Sequence, residues 1–143
     1  VLSLKIEKKN REAYCNLGTA YLFKNEYNLS KKIFEQGLKI LPNNENILIA
    51  YSQLLFATQD TKKAFRAFES RKRTPSYRML LDNLKMEEWK GEDLNGKSIL
   101  IISEQGIGDI IQFSRYIYAI KKRFDVKIVF KVRKKLHYLF KNS

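Results

Sequence analysis

The 143-residue chain predicts an α-helical part followed by an α/β part. Apolar residues recur every three or four positions through the first half, as they do on one face of a helix. That pattern repeats at an offset of 34 residues, Arg11 aligning with Glu45. Beyond residue 97, two short apolar runs flank a helical pattern, the order of a βαβ unit.

In the first half, Tyr14, Leu17 and Tyr21, then Leu29, Ile33 and Phe34, mark helix faces. Breaks fall at Lys24-Asn25-Glu26, Pro42-Asn43-Asn44 and Thr58-Gln59-Asp60, where turn-forming residues cluster. Helices of about 12–14 residues joined by short turns follow, an αα-hairpin pattern. The offset also places Tyr14 on Leu48, Leu17 on Tyr51, Gly18 on Ser52, Tyr21 on Leu55, Ser30 on Ala64 and Phe34 on Phe68. Pro42 closes the first unit, and Pro75 closes the second within one residue. Small residues at Gly18, Ser30 and Ala64 are expected to let paired helices approach. Tyr21, Phe34 and Phe68 are expected to fill the space between hairpins. A hairpin cannot bury its own apolar face, so it needs neighbours or a cap, for which the α/β part is one candidate.

The run Asn16-Leu17-Gly18-Thr19-Ala20-Tyr21 resembles the first-helix signature of tetratricopeptide repeats, and the first unit fits better than the second. Residues 4–10 resemble the tail of another repeat, with Lys8 where proline is usual. The expected organisation is repeats over residues 1–75 (a repeat tail, then about 11–44 and 45–75), a linker over 76–97, and an α/β domain from 98 to 143. The resemblance implies a concave surface that binds a protein or peptide, lined by the first helix of each repeat. By register those positions are Cys15, Thr19 and Leu22, then Ile49, Gln53 and Phe56. They lack the Lys and Asn with which chaperone-binding members hold a carboxylate, so a chaperone tail is not the expected ligand. The same residues have a second reading, burial against neighbouring repeats.

Arg71-Lys72-Arg73-Thr74-Pro75 ends the repeats, and residues 76–86 read either as a further helix or as an irregular connection. Residues 89–97 are turn-rich, and Asn95-Gly96 is a strong turn signal before a strand. Trp89, the single tryptophan, reads as a packing anchor at this boundary.

Residues 98–103 form a continuous apolar run, as expected of a buried parallel strand. A loop is expected over 104–109 and a helix over 110–123, with Ile110, Phe113, Ile117 and Ile120 near one face. A second strand spans 126–132, and a helix begins at 134. Such a unit crosses over right-handed. Two parallel strands do not make a domain, and the first residue is Val1, so the chain is expected to be an internal fragment of a larger protein.

A glycine-rich turn between strand and helix lets backbone N–H groups face an anion at the helix N-terminus. Here it is Gly106-x-Gly108, and the dinucleotide fingerprint is incomplete. Ile111 stands at its third glycine, and Lys131, Val132 and Arg133 stand where an acid would hold a ribose. This excludes a nicotinamide or flavin site, and no Walker loop is present. Asp109 has two compatible readings. It can cap the helix, worth about 1 kcal/mol, or serve as a general base at the mouth of an α/β crevice.

The order Trp89-x-Gly91-x-x-Leu94-x-Gly96-Lys97, Leu100-Ile101, then the continuous run from Glu104-Gln105-Gly106-Ile107-Gly108-Asp109 to Tyr116, resembles bacterial tetratricopeptide proteins that continue into a heptosyltransferase-like domain of the GT-B fold. The resemblance implies a partial Rossmann-like unit, the N-terminal part of such a domain. It implies Asp109 as base on an acceptor hydroxyl, with Gly106 and Gly108 shaping the acceptor pocket and Glu104, Gln105, Gln112 and Arg115 in the same motif. The expected parent protein transfers a sugar from a nucleotide-sugar donor to a protein or glycan acceptor. That donor sits mainly on a C-terminal domain, so residues 1–143 alone are expected to be inactive. A non-catalytic protein-binding module is the alternative.

Charge and composition narrow the remaining classes. The formal charge is +13, and residues 121–143 hold nine Lys/Arg against Asp125 alone. Such a tail suits polyanions, but no groove-reading motif accompanies it, so no nucleic-acid partner is expected. It reads first as a solvated surface. The single cysteine, Cys15, excludes an internal disulfide and a multi-cysteine metal site, and reads as a packing residue. No metal is expected, and no cofactor within these residues. His137 stands isolated, with a surface or packing role. No run reaches the roughly 18 apolar residues of a membrane span, and a cytoplasmic setting is the expectation.

Overall fold

The computed structural model describes residues 9–104 and 106–141. The chain divides into two compact units, Val1–Met86 and Glu87–Ser143. The architecture is mostly helical, with helical hairpins in the first unit and a small parallel sheet in the second. The expected repeat tail at residues 4–8 lies outside the described residues.

Four helices build the paired part of the first unit: α1 (Arg11–Phe23), α2 (Tyr27–Ile40), α3 (Glu45–Ala57) and α4 (Thr61–Phe68). The offset of 34 holds for both pairs of helix starts, Arg11 with Glu45 and Tyr27 with Thr61. The local chemistry repeats too. Asn10 and Asn44 cap α1 and α3, their side-chain oxygens accepting from the N–H groups of Ala13 at 2.9 Å and Ile47 at 3.1 Å. Each pair then turns through a left-handed residue, Asn25 (φ 60°) and Gln59 (φ 62°). The second helix pair diverges at its end, where α4 stops after 8 residues against 14 in α2 and passes into a 3-10 turn, Glu69–Arg73.

A fifth helix, α5 (Pro75–Leu84), follows that turn. Proline opens it, at a position where a missing N–H costs nothing. Of the two readings for 76–86, the helix is therefore the one observed. It ends at Lys85, whose backbone is left-handed (φ 47°).

Helix α1 packs on α2 and α3, and α3 packs on α4. Tyr14, Phe34, Ile47 and Leu54 form the core between them. Phe34 has no solvent exposure. A Cβ built on Gly18 would meet the Phe34 ring at 2.5 Å, so α2 lies this close to α1 only because residue 18 has no side chain. Ser30, also fully buried, donates its hydroxyl to the Gly18 carbonyl at 2.7 Å. Ala64 is fully buried at the matching position in α4. Phe34 also reaches the Tyr51 ring of α3, 5.6 Å between centroids, and so fills the space between hairpins as expected. Tyr21 and Phe68 do so only in part, being half-buried. Replacing Gly18 with Val is expected to destabilise this unit by about 1–3 kcal/mol through overpacking. Urea unfolding checks this, and an unchanged midpoint would show that the Phe34 ring can move aside.

The second unit runs β1 (Lys97–Ile102), α6 (Ile107–Arg123), β2 (Val126–Lys131), a 3-10 turn (Lys134–Leu136) and α7 (His137–Lys141). The strands pair in parallel, from Lys97 opposite Val126 to Ile102 opposite Lys131. Leu94, Ile110 and Leu136 are its buried apolar residues. The Asn95-Gly96 turn sets the strand starts level. Gly96 takes a left-handed backbone (φ +69°) and donates its N–H to the Asp125 carbonyl at 2.7 Å. The Asn95 side chain accepts from the Asp125 N–H, also at 2.7 Å. Trp89 meets the Phe124 ring edge-on at 6.4 Å and donates its indole N–H to the Glu92 carbonyl at 2.8 Å.

The expected face of α6 needs one correction. Ile110 is buried and Ile117 and Ile120 are half-buried, but Phe113 is 51% exposed and stacks on Tyr116 at 6.1 Å. An apolar stripe on a helix spans at least about 100° of arc, and a sheet of two strands covers only part of it.

Candidate functional site

Two groups of residues carry the functional expectations, one in each unit. In the first, Cys15, Thr19 and Leu22 lie on one face of α1, at spacings of four and three. Ile49, Gln53 and Phe56 repeat the arrangement on α3, which packs beside α1. Cys15, Thr19, Leu22 and Ile49 are half-buried, and Gln53 and Phe56 are exposed. Cys15 and Leu22 also touch the core cluster, so the packing reading holds for part of each side chain. Burial pushes the Cys15 thiol above its ordinary pKa, with Arg11 opposing and Glu12 assisting. That makes it a poor nucleophile and a reasonable packing group. The exposed Phe56 ring meets Phe65 edge-on at 5.1 Å and Phe68 at 6.5 Å, which fixes its orientation at the end of this face.

In the second unit the loop between β1 and α6 lies at the carboxyl end of β1, the end at which open α/β sheets bind ligands. Ser103 donates its N–H to the Lys131 carbonyl at 3.0 Å, tying the start of this loop to the end of β2. Gly106 is the N-cap of α6, and Asp109 sits in the first turn. The Asp109 carboxylate accepts the Gly106 N–H at 3.2 Å. Asp109 thus caps from the third helical position, reaching back to the N-cap N–H. Helix α6 starts at Ile107, three residues earlier than its apolar pattern indicates, because the Gly-Asp pair supplies the end contacts that apolar spacing does not reveal.

Neither Gly106 nor Gly108 has a left-handed backbone. At Gly108 a Cβ would meet nothing within 4 Å among the described residues. The local fold therefore does not demand glycine at 108. Glu104, Asp109, Gln112 and Arg115 are all exposed, with Gln112 about one turn and Arg115 about two turns past Asp109. The Arg115 guanidinium lies 5.2 Å from the centre of the Tyr116 ring. Gln105 lies outside the described residues.

An open hollow of about 480 Å³ lies at the other end of the strands, lined by Lys121, Lys122, Arg123, Phe124, Asp125 and Val126. Its three basic residues sit in the last turn of α6, where cations complement the helix dipole. His137 contacts the Val132 carbonyl through Nε2 at 3.3 Å. Among the described residues there is no group of three or more His, Cys, Asp or Glu placed to hold a metal ion. No helix among them is long and apolar enough to cross a membrane.

The hairpin of α1 and α2 now has an independent counterpart. Residues 12–44 match the tetratricopeptide repeat family model. This match covers α1, α2 and the turn after them. No curated protein and no solved structure shows a significant match to the chain. The tetratricopeptide match points to protein–protein interaction as the business of the helical unit.

Proposed function

We propose that this chain is part of a repeat-linked glycosyltransferase, in which the α1–α3 face holds a protein or glycan acceptor and the α/β unit contributes the acceptor side of a GT-B-like active site. The resemblance of residues 104–116 to the heptosyltransferase motif is the observation that carries this reading. The position of that motif supports it, as a loop at the carboxyl end of a strand that opens a helix with an exposed aspartate in its first turn. The glycine at 108, which the local packing does not require, also fits a backbone kept open for a ligand. In this proposal Asp109 takes the proton of the acceptor hydroxyl. Gly106 and Gly108 shape the pocket, and Glu104, Gln105, Gln112 and Arg115 border it. A nucleotide-sugar is the donor, no metal takes part, and the setting is the cytoplasm.

A second reading has one observation in its favour. The Asp109 carboxylate already accepts the Gly106 N–H, a contact that suits a purely structural cap. On that reading the chain is a non-catalytic protein-binding module. Sugar transfer by the intact gene product, with and without Asp109→Asn, decides between them. Donor-dependent transfer that disappears in the variant supports the transferase. A wild-type protein that binds its partner but neither hydrolyses nor transfers from any nucleotide-sugar sinks it.

A further inference from the structure

The charges of the helical unit are sorted by helix. After their first turns, α1 (residues 13–23) and α3 (residues 46–57) contain no Asp, Glu, Lys, Arg or His. Helices α2 and α4 and the 3-10 turn hold nine Lys/Arg against two Glu. Several of those bases are tied to acids on their own side, Lys31 to Glu35, Lys63 to Asp60, and Arg71 and Lys72 to Glu69. A unit with this many lysines therefore presents along α1 and α3, past Arg11, Glu12 and Glu45 in their first turns and before Lys24, a stretch that is free of charge. Its exposed residues are Asn16, Ala20, Phe23, Gln53, Phe56 and Ala57. Phe23 is 80% exposed and Phe56 39%, and they occupy neighbouring register positions at the ends of the two helices.

We infer that the partner segment of this face is a neutral, apolar peptide, anchored by aliphatic or aromatic side chains, and not an acidic one; the inference rests on the α1–α3 face being the binding surface. Packed helix axes lie roughly 8–10 Å apart, and the Debye length in physiological salt is about 8 Å. The lysines of α2 and α4 are solvent-exposed, so salt screens their pull on a ligand at α1 and α3. An acidic side chain docked on the uncharged stretch past Arg11 would lose water with no cation of α1 or α3 beside it, which is a net cost. An apolar side chain meets Leu22, Ile49 and Phe56 and gives up only its own hydration. The polar groups at hand, the Thr19 hydroxyl and the Gln53 amide, suit neutral hydrogen bonds.

The test is selection of a random twelve-residue peptide library on the immobilised 143-residue chain. Selected peptides are then synthesised with blocked ends, and their affinity is measured at low and high salt, about 0.05 and 0.5 M. The enriched peptides are expected to carry apolar anchors without net charge, and to change affinity less than about twofold across that range. Gln53 is exposed, so Gln53→Glu and Gln53→Lys should both fold, and both are expected to weaken binding by about tenfold, since a desolvated charge costs whatever its sign. Acidic peptides that lose affinity steeply in salt and gain it with Gln53→Lys would overturn the neutral partner while leaving the face as a binding site. Peptides indifferent to both substitutions would place the site elsewhere. No enrichment at all would overturn the binding face itself.

Discussion

Phe34→Ala is expected to unfold the helical unit or bring it to the edge of unfolding. The ring has no solvent exposure, occupies the space a side chain at residue 18 would take, and meets the Tyr51 ring at 5.6 Å. Truncating a buried Phe costs about 3–5 kcal/mol, from lost transfer free energy and the cavity left behind. A small domain has only about 5–15 kcal/mol of stability in total. Collapse into the cavity is limited on the α1 side, where residue 18 has no side chain to move into it. Chemical denaturation monitored by far-UV circular dichroism measures the loss. A cost below about 1.5 kcal/mol, the range of volume-conserving core swaps, would mean that the hairpins are not held by this contact. The same pair offers an internal check. Gly18→Val overpacks the site that Phe34→Ala empties, so the double variant should be more stable than the sum of the two losses predicts, as contacting residues are not additive.

Asp109→Asn is the second large expected effect, and it separates two roles that one carboxylate can hold. The cap is a contact with the Gly106 N–H at 3.2 Å, and an asparagine oxygen can accept the same bond. Stability should therefore fall by no more than about 0.5–1 kcal/mol, from weaker charge–dipole attraction at the helix start. General-base catalysis has no such tolerance, because an amide cannot take a proton. In the proposed transferase, kcat should drop by about 10²–10⁴-fold while the fold and the partner affinity persist. Asp109→Ala adds a control, since it loses the cap as well, at about 1 kcal/mol. A variant that loses activity only in proportion to its loss of folded protein would assign Asp109 to the cap alone.

The helical unit was legible in sequence because its signals are local and repeat. Punctuation at Asn25, Asn43 and Gln59 locates each turn, and each of those residues adopts a left-handed backbone. The 34-residue offset carries over to helix starts and caps because each hairpin solves the same packing problem. What sequence left open depends on contacts between segments distant along the chain. The choice of helix for 76–86 belongs to tertiary context as much as to propensity, and the spacing set Phe113 on the apolar face although it is exposed, because exposure on α6 depends on how much sheet lies beneath it. For the loop site, residue types named Asp109, Gly106 and Gly108 as candidates. Only coordinates assign the cap to the third helical position and show that packing leaves room at Gly108. The absence of charge past the first turns of α1 and α3 was present in the sequence throughout. It acquires meaning only once those two helices are known to lie side by side.

The two strands of the small sheet differ in how they would fare in contact with other chains. β2 alternates, setting Lys127 and Lys131 on its exposed positions, whereas β1 runs Ile99, Leu100, Ile101, Ile102 with no charge among them. Lysines along a strand discourage unwanted pairing, and an uncharged apolar run such as the one that follows Lys97 and Ser98 in β1 invites it. Self-association of this unit at high concentration should therefore begin at β1. A lysine introduced at Leu100, on the face that already carries Lys127 and Lys131 in register, is the change that would extend to β1 the gatekeeping β2 already has.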